Sequence, residues 1–324
     1  MPRIRFAPTA VAAVTLAVAL TGAARAADWR MEKQLDLAPG GELVVDVQSG
    51  GVTVTGGPGS GAQVEITADR DVTDKFTFEL TSEPGRARIV SKRKGTSGWF
   101  NWSWSSANVH FEIRVPRETK LDVRSSGGGI RIAGLQGDAR LRSSGGGLHA
   151  EDVVGNVDAD TSGGGVDARR IDGDVKLETS GGGIRAADIS GNVYAHTSGG
   201  GVQIDRVAGD LDAGSSGGGV HVNDIRGRIL AESSGGPVEA VLSSPSPAGG
   251  KLSSSGGGVR VQLSPQAHLN IDASSSGGGV SCDLPLMVKG KVSRHELHGQ
   301  LNGGGPTLEL DSSGGGVHIE PNAD

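Results

Sequence analysis

Several short patterns in this chain carry the residue types of known chemistries, and each is weighed first by what its chemistry requires. Gly214-Ser215-Ser216-Gly217-Gly218 fits Gly-x-Ser-x-Gly, a pattern in which a strand–turn–helix bend exposes a nucleophilic serine. Ser216 is one copy of a serine that recurs along the chain with no helical pattern after it, so the match is chance. His295-Glu296-Leu297-His298 holds two imidazoles but lacks the His-Glu-x-x-His spacing that turns both toward one zinc ion. Asp138, Asn156, Asp174, Asn192, Asp210 and Arg228 recur at one spacing, and side-chain oxygens in such a column could hold calcium. Calcium-binding β-rolls need Gly-Gly-x-Gly-x-Asp, which Gly163-Gly164-Gly165-Val166-Asp167 does not supply. These Asx side chains are therefore expected to bond their own turns. Arg131, His149, Asp167, Arg185, Gln203, His221 and Glu239 form another column, whose mixed charges keep stacked copies from repelling. Its histidines stand too far apart to share a metal. The acids are scattered, and no pair stands out at a glycosidase separation.

One cluster is different. Trp99, Phe100, Trp102 and Trp104 hold three of the chain's four tryptophans, and alternation puts Phe100, Trp102 and Trp104 on one strand face. Flat rings with polar edges suit stacking on sugars or meeting a protein partner. The preceding Lys92-Arg93-Lys94-Gly95-Thr96-Ser97-Gly98 reads as a loop, which favours exposure. These four residues are the candidate ligand-binding site, and no catalytic residue, metal ligand or cofactor is assigned.

The elements that would position these side chains are written in a repeat. Ser-Gly-Gly-Gly begins at Ser126, Ser144, Ser162, Ser180, Ser198 and Ser216, and Ser234-Gly235-Gly236-Pro237 follows at the same step of 18. Steps of 21 lead to Ser255 and Ser276, then a longer insertion precedes Asn302-Gly303-Gly304-Gly305 and Ser313. Such self-similarity marks a solenoid in which each repeat stacks on the one before. Counting from the serine, the fifth residue is Ile130, Leu148, Val166, Ile184, Val202 and Val220, and the fourteenth is Ala139, Val157, Val175, Val193, Leu211 and Ile229. The seventh and sixteenth are apolar too, and often alanine. The tenth is Leu135, Val153, Ile171, Ile189, Val207 and Ile225. Period-2 alternation and β-branched residues predict two strands per repeat, separated by the glycine triplet and by a Gly-Asp or Gly-Asn turn. Three glycines every 18 residues exclude helices. The expected fold is all-β: a single-chain parallel β-solenoid, or β-helix, with rungs of about 18 residues and a core too thin for aromatic rings. Cys282 falls in the seventh, inward column, as core rather than reactive thiol.

Composition and the chain ends bound the setting. Collagen needs glycine at every third position, which 56 glycines in 324 residues do not provide. Arg3 and Arg5, the apolar stretch from Val11 to Leu20 and Ala24-Arg25-Ala26 make a secretory signal peptide over residues 1–26. Residues 27–324 are then one β-solenoid domain, with strict repeats over 126–233 and longer rungs with an insertion over 234–312. Removing the three leader arginines from 31 basic residues leaves 28 against 37 acidic, a net −9. That charge, without a basic stripe, argues against nucleic acid. No transmembrane segment is expected in the mature chain.

Glu112-Ile113-Arg114-Val115-Pro116, then Leu121-Asp122-Val123-Arg124-Ser125-Ser126-Gly127 and the Gly-Val/Ile and Gly-Asp/Asn-Val units, resemble the bacterial putative-adhesin β-repeat family, domain of unknown function 4097. Gly299-Gln300-Leu301-Asn302-Gly303-Gly304-Gly305-Pro306 before Leu308-Glu309-Leu310 is similar as well. The resemblance covers roughly residues 30–320 and implies an exported β-helix-like fold, a cell-envelope setting and no reaction. The chain departs from the family where a glycine triplet replaces Gly-Asp. The expected function is an exported, non-enzymatic, adhesin-like binding or structural protein of the periplasm, cell surface or medium, with carbohydrate or an envelope protein as partner. The alternative is a β-helix enzyme acting on polysaccharide, an analogy from fold alone.

Overall fold

The computed structural model describes residues 29–68, 72–94, 108–244, 246–288 and 293–322. Residues 1–26, where a signal peptide is expected, and the Trp99–Trp104 cluster lie outside them. The regular rungs follow the repeat closely. Each gives one strand to a first sheet of 14 strands and one to a second sheet of 15, and all neighbours in the regular stack are parallel. In one rung Leu148–Val154 belongs to the first sheet and Val157–Thr161 to the second, and Val157 pairs with Val175 at a step of 18. The fifth, seventh, tenth, fourteenth and sixteenth columns face inward, so Val166, Ala168, Ile171, Val175 and Leu177 are all buried. The chain is a parallel β-solenoid of two flattened sheets.

The odd spacing of the inward positions in the first sheet has a local cause. Positions five and seven alternate normally, but the next inward position is ten rather than nine. The ninth residue lies in the left-handed region in every regular rung: Gly134, Asp152, Arg170, Asp188, Arg206 and Asp224 have φ between 52° and 72°. This aligned bulge shifts the alternation by one residue. Left-handed backbone is unfavourable for a side chain, and the occupants alternate in sign. Arg170 reaches Asp152 with Nε 2.6 Å from Oδ1, and Arg206 holds Asp188 at the same distance. The Arg170 guanidinium holds the Asp152 carboxyl below its ordinary range, and Arg206 does the same for Asp188.

The glycine corner depends on a column one residue before the repeated serine. Ser125, Ser143, Thr161, Thr179, Thr197, Ser215 and Ser233 are buried. Each regular hydroxyl links two rungs. Thr179 Oγ1 donates to the Gly164 carbonyl at 2.7 Å and accepts from the Gly182 amide at 3.2 Å. Ser143 and Ser215 repeat the arrangement. Buried hydroxyls and corner amides thus satisfy one another, as burial requires.

At the two ends, chain order and stack order diverge. The last rung, Thr307–Ser312 and Val317–Pro321, does not cap the stack but slots in beneath an earlier one. Thr307–Ser312 lies between Gly250–Ser254 and Leu269–Ser275, and Val317–Pro321 lies between Val259–Leu263 and Val280–Cys282. The other end mirrors this: Glu42–Val47 lies between Lys120–Ser125 and Arg86–Arg93. Outside both inserted rungs sit antiparallel pairs, among them Phe76–Glu83 with Arg86–Arg93 and Leu269–Ser275 with Glu296–Leu301. A parallel stack otherwise ends in open strand edges, and antiparallel closure interrupts that template. The expectation that every repeat stacks on its predecessor therefore fails at the ends.

The ring-free core also holds only in the regular rungs. At the N-terminal end Phe111 is fully buried, Trp29 stacks on Phe78 at 5.3 Å, and Phe78 meets Phe111 edge-on at 6.1 Å. Cys282 faces inward but is only half-buried, because its strand is the outermost of the first sheet. Burial still pushes its thiol up from the ordinary range, so it is no activated thiolate.

Candidate functional site

The second sheet carries a groove of about 930 Å³ along its outer face, running from Glu42 through the regular rungs to Lys251. Two repeated positions build it. One is the turn residue of each rung, Asp138, Asn156, Asp174, Asn192 and Asp210, and the other lies two residues further on, as in Asp158, Lys176, Tyr194 and Asp212. Nine neighbouring strands at about 4.8 Å make the groove roughly 38 Å long.

The turn column bonds between rungs, not within its own turn as expected from its residue types. Asp138 Oδ1 accepts the Asn156 amide at 2.9 Å, and Asn156 Oδ1 accepts the Asp174 amide at 2.9 Å. Asn192, Asp210 and Arg228 continue the same ladder. Each Asx thus spends Oδ1 on the backbone of the next rung, which is a turn-building role.

Midway along the groove the charged column is interrupted by Tyr194, the single tyrosine of the chain. Its ring stacks on His196 of the same strand, with centroids 4.3 Å apart. His196 Nε2 lies 2.8 Å from Asp212 Oδ1 on the next rung. Gly214 makes that arrangement possible, since a Cβ there would stand 2.5 Å from His196 Nδ1. Lys176 Nζ lies 5.7 Å from the tyrosine centroid and 2.9 Å from Glu178, whose carboxylate raises the ammonium's pKa. Tyr194 remains 36% exposed, so the neighbours orient the ring without covering it.

The other sequence candidates stay apart. Trp99, Phe100, Trp102 and Trp104 fall outside the described residues. His295 Nδ1 lies 2.7 Å from the Gly278 carbonyl oxygen, whereas His298 Nδ1 lies 2.9 Å from Asp272 Oδ1, so the two imidazoles serve different partners. Ser216 is an exposed corner residue. In the mixed column of the first sheet side chains meet their copies on the next rung, as where His221 Nδ1 lies 3.1 Å from a Glu239 carboxylate oxygen. Among the described residues no group of three or more His, Cys, Asp or Glu is arranged to hold a metal ion. No described helix is long and apolar enough to cross a membrane. Sequence reasoning passed over Tyr194, although a single tyrosine in a charged column, with a glycine breaking the neighbouring column at 214, was the available signal.

Residues 42–320 match the model of a family described as Toastrack DUF4097. No curated protein matches the chain. Solved structures with similar chains include a "putative adhesin" from Parabacteroides distasonis ATCC 8503, 12% identical, covering 90% of this chain and 97% of that one with a TM-score of 0.44. Another is a "putative adhesin" from Parabacteroides merdae ATCC 43184, 11% identical over 90% and 95% of the two chains, TM-score 0.34. A "putative lipid binding protein" from Parabacteroides distasonis is 13% identical over 90% and 96%, TM-score 0.29.

Proposed function

We propose, from the premise that this chain belongs to the Toastrack DUF4097 family, that it is an exported, non-enzymatic, adhesin-like protein binding a component of the cell envelope. The observation that carries the reading is the open groove along the second sheet, lined in successive rungs by the same positions of the repeat. A site for bond cleavage needs a few groups converging on one point. This surface instead spreads its groups along about 38 Å of stacked strand, which suits holding an extended partner. Residues 1–26 fit a leader that is removed, leaving a solenoid in the periplasm, at the cell surface or in the medium. The aromatic residues Trp99, Phe100, Trp102 and Trp104 are proposed as a second contact, on the strength of their residue types and alternation.

The test uses the mature chain, labelled and incubated with isolated cell envelopes. Saturable retention without release of reducing sugar ends is expected. A Trp102→Ala, Trp104→Ala double variant should lose part of that retention. Non-saturable adsorption, or reducing ends released in proportion to protein, would overturn the reading.

A further inference from the structure

The groove has a chemistry specific enough to name its ligand class, an inference that rests on the binding role proposed above. Acidic and basic side chains interleave along it: Asp122, Arg140, Asp158 and Lys176 follow one another in successive rungs, and Asp158 pairs with Arg140 at 3.2 Å. A polyanion such as nucleic acid or an acidic polysaccharide needs a stripe of one sign, which this surface does not present. The turn column supplies a different pattern. Oδ1 of each Asx is committed to the backbone. The remaining side-chain atom is then an acceptor in Asp138, a donor in Asn156, an acceptor in Asp174 and a donor in Asn192. These alternate at one rung per step, about 4.8 Å. A partner meeting such a comb must itself repeat along its length and must both donate and accept hydrogen bonds. Hydroxyl groups do both. Beside Asn192, the fourth tooth of the comb, stands Tyr194, an oriented and half-open ring of the kind that packs against an apolar ring face with polar edges.

We infer that the groove binds an uncharged polysaccharide strand laid along the solenoid axis, with Tyr194 as its stacking platform and the Asp–Asn column as its hydrogen-bonding rail. His196 is a positioning residue, held by Asp212 over the space that Gly214 leaves open, and it fixes the plane of the tyrosine ring.

The probes are the neutral polymers laminarin, mannan, glucomannan and dextran, with alginate and heparin as charged ones, tested by affinity electrophoresis and titration calorimetry on the mature chain. At least one neutral polymer should bind, with affinity that rises with oligosaccharide length and is unmoved by added salt. Tyr194→Ala should weaken it about tenfold or more, and Tyr194→Phe should keep most of it. Both variants should melt with the wild type, because the ring is outside the core. Binding of the charged polymers alone, of none of the six, or equal binding by Tyr194→Ala overturns the inference. If Tyr194→Ala is silent while Trp102→Ala, Trp104→Ala abolishes envelope retention, the protein binds but the groove is not the site. If envelope retention itself fails, the binding role falls with it.

Discussion

The three glycines of one corner should differ sharply in their tolerance of alanine, although the repeat presents them as equivalents. None of Gly163, Gly164 and Gly165 has a positive φ, so alanine is conformationally admissible at all three. Space alone separates them. A Cβ on Gly163 would stand 3.1 Å from the Gly145 carbonyl oxygen, and one on Gly165 would stand 3.1 Å from that of Gly183. A few tenths of an ångström of adjustment accommodates either. A Cβ on Gly164 would instead fall onto the Gly146 carbonyl and the Gly147 nitrogen, far inside any real Cβ contact. The rung would have to rise by more than half an ångström. Thr161 resists this, because its Oγ1 donates to the Gly146 carbonyl at 2.8 Å. Overpacking of this kind costs about 1–3 kcal/mol, and straining that hydrogen bond adds about 1 kcal/mol. Replacing glycine by alanine restricts the unfolded chain and returns about 0.4–1 kcal/mol at every position. The net for Gly164→Ala is a loss of about 1–3.5 kcal/mol, with Gly163→Ala and Gly165→Ala within about 1 kcal/mol of wild type. At roughly 2 °C per kcal/mol for a chain of this size, Gly164→Ala should melt about 5 °C lower by calorimetry or circular dichroism. A Gly164→Ala melt within about 1 °C of wild type, or equal losses at all three sites, would refute the contact argument.

The buried hydroxyl column and the ion-pair ladder make separate predictions. Thr179→Val keeps the shape but leaves the Gly164 carbonyl and the Gly182 amide without their partner, a cost of about 2–4 kcal/mol in urea unfolding. Thr179→Ser should recover most of it, and equal losses in the two variants would show that the hydroxyl is not what matters. Asp152 and Asp188 have folded pKa values lowered by Arg170 and Arg206. Their contribution is therefore complete above the ordinary carboxylate range and disappears as pH falls through the lowered values. The melting-temperature gap between wild type and an Arg170→Met, Arg206→Met double variant should be present at neutral pH and close in strong acid. A gap that persists at the acid end would remove the ladder from the account.

The sequence by itself was sufficient for the class of fold. Six unbroken steps of 18 residues, with inward columns such as Val157, Val175 and Val193, admit only stacked parallel strands, because side chains must meet their copies in register. That Asp138 and its successors are structural was legible from their place beside the turn glycine, but their bonding was not: each Oδ1 accepts an amide of the next rung, 18 residues away. Other features depended on neighbours that periodicity does not name. The left-handed ninth position was hidden because, after Gly134, Asp and Arg occupy it where glycine would have announced it. The hydroxyl column stands beside a more conspicuous serine, and only burial separates Thr179 from the exposed Ser180. Tyr194 acquired its setting from Asp212 and Gly214 on the next rung, a contact across strands. Above all, the insertion of Thr307–Pro321 between earlier rungs was a decision of the tertiary structure. A repeat specifies what fits above and below each strand. Every rung offers nearly the same surface, so the closing of the ends determines which rung takes which place.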